Sequence, residues 1–86
     1  MFKQNNYTIS NVFNNIINFI IKNQYQGLIN ESKRHKELGN QYFKEKKYNK
    51  ALEEYNQAAD ICPNSQKEDL AIYYNNMAAC YVYIVS

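Results

Sequence analysis

SKRHKELGNQYFKEKKYNKALEEYNQAADICPNS, residues 32–65, is the stretch that decides the fold. Leu38, Tyr42 and Phe43 recur at the three-to-four spacing that gathers side chains on one side of an α-helix, so a helix is expected from about Glu31 to Glu45. Lys46-Lys47 closes it with positive charge at the negative pole of the helix dipole. Tyr48, Ala51, Leu52, Tyr55, Ala58, Ala59 and Ile61 repeat the spacing and predict a second helix that Pro63 stops. Gly39 and Ala51 are small where the two helices must approach. Past a loop at Asn64–Gln66, a third helix is expected from about Lys67 to Ile84. It carries Leu70, Tyr73, Tyr74, Met77, Ala78, Tyr81 and Ile84 on one broad face.

The rest of the 86-residue chain sets the limits. A domain of this size buries only about 60–65% of its unfolded surface and is marginal by itself. Ten basic against eight acidic residues give a net charge of +2, too little to argue for a nucleic-acid partner. Two Gly and one Pro are too few for a β-sandwich or barrel. Charge is confined to the middle: residues 31–70 hold eight groups of each sign, and residues 71–86 hold none. That uncharged end reads as a helix made for burial, and its stripe at Tyr73, Met77, Tyr81 and Ile84 predicts self-association unless another segment covers it. Two Cys and one His make no zinc set, and Cys62 and Cys80 read as reduced, partly buried thiols. Neither a nucleophilic triad, a glycine-rich phosphate loop nor paired carboxylates supports an enzyme, and no cofactor is implied.

Residues 1–30 hold eight Asn and two charges, Lys3 and Lys22. Val12, Phe13, Ile16, Ile17, Ile20, Ile21 and Leu28 fall at helical spacing, which predicts an amphipathic helix at about Val12–Leu28 packed on the domain. Asn14, Asn15 and Asn18 interrupt the apolar run, leaving it too short and too polar for a membrane span. A membrane-surface or targeting role, or disorder, stays open beside the packed helix.

From residue 32 onward the chain resembles the tetratricopeptide repeat family. With Ser32 as the first repeat position, Leu38-Gly39, Tyr42, Ala51, Tyr55, Ala58 and Pro63 fall on the family's signature places, and His35 stands where an aromatic is common. Met77-Ala78 and Tyr81 match a second repeat that begins near Ala71, after five extra residues, and includes only its first helix. The fold expected is therefore all-α: a helix-turn-helix α-solenoid of one complete repeat (about 32–65) plus the first helix of a second (about 71–86). Together these form a unit over residues 31–86, preceded by the Asn-rich amphipathic helical segment 1–30.

The resemblance also implies a function. In this family the first helix of each repeat lines a concave face. Lys36 and Asn40 lie four apart on one side of the first helix, away from the Leu38–Tyr42 stripe, and Asn76 holds the comparable place one repeat on. The three resemble part of the dicarboxylate clamp with which co-chaperones hold the acidic C-terminal Glu-Glu-Val-Asp peptides of the 70- and 90-kDa heat-shock chaperones. A Lys ammonium suits a terminal carboxylate, and Asn amides donate to carboxylate or backbone oxygens. Two further basic clamp residues belong, in the family, to a third repeat beyond Ser86. Lys33, Lys44, Lys46, Lys47 and Lys50 read as a solvated face with Glu45, Glu53 and Glu54, and His35 as an exposed residue without a role. Two classes of function follow, a chaperone-binding adaptor or a structural scaffold within a multi-subunit complex. The implied location is cytoplasmic, alternatively the cytosolic face of the mitochondrial outer membrane.

Overall fold

In the computed structural model, which describes the backbone of residues 2–86 and the side chains of residues 8–86, the chain forms three helices: α1 (Phe2–Lys44), α2 (Tyr48–Ile61) and α3 (Lys67–Val85). Where two helices were expected before Lys46, one 43-residue helix runs through. The reason is local. No proline interrupts residues 2–44, and Gly27, at a penalty of about 1 kcal/mol relative to alanine, is too weak a breaker to stop it. Ser32, expected near a helix start, is fully buried inside the helix, and its hydroxyl donates back to the Leu28 carbonyl at 2.9 Å.

α1 stops where Lys46 takes a left-handed backbone conformation, φ 62°. The Lys47 N–H then donates to the Tyr42 carbonyl (2.9 Å) and the Lys46 N–H to the Phe43 carbonyl (3.0 Å), closing the last turn in the manner usual for glycine at this place. α2 runs back antiparallel to α1. Pro63 ends it, and a turn closed by the Gln66 N–H on the Pro63 carbonyl (3.0 Å) sends the chain into α3. Glu68 and Asp69 in the first turn of α3 complement its dipole.

The core lies between α2 and its two neighbours. Ala58, Ala59 and Cys62 pack on Tyr73, with Leu70 and Met77 at the margin, while Ala51 and Tyr55 pack on Cys80, with Tyr42, Phe43 and Leu52 around them. Gly39 explains how α1 and α2 come so close: a Cβ there would stand 2.7 Å from a Tyr55 ring carbon. α3 lies parallel to α1. At one end Gln66 donates to the Tyr25 hydroxyl (2.7 Å), which also bonds Ser65. At the other, Tyr83 stacks on Tyr48 (ring centroids 4.7 Å) and meets Phe43 edge-on (5.5 Å).

Three expectations change. The stripe expected to be exposed on α3 does not form as read: Tyr73 is 1% exposed and Met77 is partly buried against α2. The outward stripe is instead Ala71, Tyr74, Ala78, Tyr81 and Val85, rotated about a quarter turn. With no charge in residues 71–86, no polar arc marks which side faces out. The N-terminal half of α1 does not pack on the domain either. Its apolar side chains from Ile9 to Leu28 stay exposed, and only Tyr25 and Ile29 begin the contact with the rest. The overhang explains a longest dimension of 73 Å, since a 43-residue helix is about 65 Å long. Among the described residues no helix is long and apolar enough to cross a membrane. Lys3 lies outside the described side chains. Finally, His35 is mostly buried and Nδ1 lies 2.9 Å from Glu54 Oε1, linking α1 to α2, so neither residue belongs to a solvated face.

Candidate functional site

Antiparallel α1 and α2 set α3 beside α1 along one side of the molecule, and a small cleft of about 180 Å³ opens there. Asn40, Phe43, Tyr55, Asn76 and Ala79 line it. Asn40 and Asn76, 36 positions apart in the chain, thus share one surface. Asn40 is exposed and Asn76 half-buried.

Asn40 is held in place. The Tyr55 hydroxyl, from a ring that is almost completely buried, donates to Asn40 Oδ1 at 2.5 Å. Its carbonyl oxygen is therefore occupied, and the amide N–H₂ remains to donate toward the cleft. Burial first, and Cys80 second, push the Tyr55 phenol above its ordinary value, so it remains a donor at neutral pH. Nothing in the sequence pattern signals this contact beyond the presence of a tyrosine on α2.

Lys36 lies one turn before Asn40 on the same side of α1 and is half-buried. It makes no ion pair among the described residues, whose salt bridges involve Arg34, His35 and Lys47. It does not line the cleft. Of the three residues read from the sequence, two converge there and the third stands along the same helix face. Phe43, Tyr55 and Ala79 supply the floor that the sequence reading did not assign.

Two other clefts are polar. One of about 490 Å³ is bounded by His35, Glu53, Glu54, Asn56, Gln57 and Asp60. The other, of about 300 Å³, sits over the start of α3, between Ser65 and Asp69. No cluster of three or more metal-ligating side chains exists among the described residues. Cys62 and Cys80 are free and buried, and burial raises both thiols, making them poor nucleophiles. What the cleft offers is amide donors beside an aromatic floor, with a cation one turn away.

Comparison with known proteins bears on the family. Residues 32–65 match the family model described as tetratricopeptide repeat. The chain is 41% identical over 46 residues to mitochondrial import receptor subunit TOM70 of Homo sapiens, 54% of this chain and 8% of that protein. It is 43% identical over 53 residues to the DnaJ homolog subfamily C member 7 homolog of Schizosaccharomyces pombe, 62% of this chain and 10% of that one. To TOM70 of Saccharomyces cerevisiae it is 45% identical over 47 residues, 55% and 7% respectively. The matched segment thus spans about a tenth or less of these relatives. No solved structure matches the chain.

Proposed function

Residues 32–65 are a tetratricopeptide repeat, a protein-interaction module, and from that premise we propose that the cleft between α1 and α3 binds the acidic C-terminal peptide of a 70- or 90-kDa heat-shock chaperone. Lys36, Asn40 and Asn76 act as part of a dicarboxylate clamp. The observation that carries the reading is the Tyr55–Asn40 hydrogen bond, which leaves one amide as a fixed donor in a cleft shared with Asn76. An extended peptide laid along α1 and α3 meets the two amides at its backbone or carboxylate oxygens, and its terminal carboxylate meets the Lys36 ammonium. The similarity to an import receptor subunit and to DnaJ homologs supports a chaperone-related partner. The chain then works as an adaptor and not as an enzyme, in the cytoplasm or at the cytosolic face of the mitochondrial outer membrane.

Titration with peptides ending in Glu-Glu-Val-Asp, as free acid and as C-terminal amide, tests it. A charge-assisted hydrogen bond contributes about 1.5–3 kcal/mol, so the acid should bind about ten-fold or more tightly, and Lys36→Ala should remove most of that advantage. Lys47→Ala, on an exposed turn already paired with Glu45, should change little. Equal binding of acid and amide would sink the clamp. It would favour the second reading, a structural scaffold, for which the exposed outer side of α3 is the supporting observation.

A further inference from the structure

The overhang of α1 carries an apolar surface with a sharp boundary. Around the helix, exposed apolar side chains run from Phe19 and Val12 on one flank, through Ile16 and Ile20, to Ile17 and Ile21 on the other, an arc of about 200°. Asn11, Asn14, Asn15 and Asn18 fill most of the remaining arc, and residues 8–21 contain no charge. Past Ile21 the same side of the helix continues as Asn23, Gln24, Gly27, Glu31 and Arg34, all exposed. The surface therefore belongs to the overhang alone and is not the margin of the one on which α2 and α3 pack.

We propose that the overhang lies flat on a loosely packed lipid bilayer of neutral headgroups, its apolar arc sunk among the acyl chains and its asparagines at headgroup level.

Width selects a lipid surface over a protein. A helix facing a protein core presents an apolar stripe of about 100°, and the seam of a paired coil is narrower still. A second copy laid along Ile16 and Ile20 would leave the flanks, Phe19 on one side and Ile21 on the other, in water. A bilayer surface takes up half a cylinder at once, to a depth of about 5–10 Å.

Length fixes the orientation. From Ile9 to Ile21 the arc extends about 18 Å, well short of the hydrocarbon core of about 30 Å, so the helix lies in the plane of the surface and does not cross it. At Tyr25, bonded to Ser65 and Gln66, the helix enters the domain, whose charges between residues 31 and 70 stay in water.

Charge fixes the lipid class. Surface helices that depend on anionic lipid carry several Lys and Arg on the polar side, and among the described residues the overhang offers Lys22 alone. Insertion then rests on apolar burial, which is easiest where acyl chains are loosely packed, as on strongly curved membrane. Neither Lys36 nor the α1–α3 cleft takes part, so the proposal stands apart from the clamp.

Flotation of the 86-residue chain with phosphatidylcholine vesicles tests it. Small, strongly curved vesicles should hold the chain about ten-fold more tightly than large ones of the same lipid, and replacing a quarter of the lipid by phosphatidylserine should change binding by less than about three-fold. Phe13→Glu and Ile20→Glu alter exposed side chains, so helical circular dichroism should persist in water while each variant loses at least about ten-fold in vesicle binding. Asn15→Gln on the polar side and Tyr81→Glu on α3 should both bind as the wild type does. Absence of binding, equal binding to small and large vesicles, or binding that appears only with phosphatidylserine would overturn the proposal. Loss of binding in Tyr81→Glu but not in Phe13→Glu would do the same. So would sedimentation equilibrium showing a dimer that Phe13→Glu dissociates and vesicles leave intact, which would give the surface to a second copy.

Discussion

Replacing each glycine of α1 by alanine should move stability in opposite directions. At Gly39 the added Cβ would lie 2.7 and 2.8 Å from two Tyr55 ring carbons and 3.1 Å from a third. Carbon atoms settle at about 3.5–4.0 Å, so the overlap is nearly an ångström. The ring cannot easily retreat, because Tyr55 is 2% exposed, packs with Ala51 and Cys80, and is tied by its hydroxyl to Asn40. Overpacking of this kind costs about 1–3 kcal/mol, against which alanine's better helix propensity returns about 1 kcal/mol. Gly27 has nothing within 4 Å of the same added atom, so there only the propensity gain of about 1 kcal/mol applies. Urea unfolding followed by helical circular dichroism should place Gly39→Ala below the wild type and Gly27→Ala above it. The two should differ by about 2 kcal/mol, or roughly 10 °C in Tm for a domain of this size. Gly39→Ala as stable as Gly27→Ala would refute the claim that Tyr55 fixes the distance between α1 and α2.

Lys46 pays for its left-handed backbone without a side-chain return, so Lys46→Gly should raise stability by about 1 kcal/mol, measured by the same unfolding curves. Burial, with smaller contributions from Asp69 and Cys62, pushes the Tyr73 phenol up to about 12. The unfolded chain releases that proton near pH 10 and the folded chain only near pH 12, so its contribution is complete below pH 10 and lost as pH rises through 12. A loss of about 3 kcal/mol across that window should appear in unfolding curves of the wild type and be reduced in Tyr73→Phe. Cys62 and Cys80, buried with raised thiols, should react with iodoacetamide at neutral pH at least ten-fold more slowly in the folded chain than in urea.

The helix hairpin and the proline turn were legible because Leu38, Tyr42, Ala51, Tyr55 and Ala58 keep helical spacing among charged neighbours, and Pro63 can only interrupt. α3 was legible as a helix but not in its orientation. With apolar residues on nearly every side, Tyr74 read as core and lies outside, while Cys80, left off the face, is fully buried. The start expected at about Glu31 lies inside a longer helix, where the Ser32 hydroxyl bonds backward to the Leu28 carbonyl. His35 and Glu54 meet across 19 positions, a tertiary contact for which neither residue carries a local signal. Asn40 and Asn76 were found together only through the register of the repeat. That register also placed Lys36 beside them, yet Lys36 stands along the helix from the cleft and not in its wall.

Side-chain amide spectra of the ¹⁵N-labelled chain, recorded as the free-acid Glu-Glu-Val-Asp peptide is added, test the proposed groove most directly. The Nδ2 signals of Asn40 and Asn76 should shift together along one saturation curve, with the Tyr55→Phe variant weakening the Asn40 response because its amide is no longer fixed. Shifts confined to the outer side of α3, around Tyr74 and Ala78, with both asparagine amides unmoved, would contradict the account.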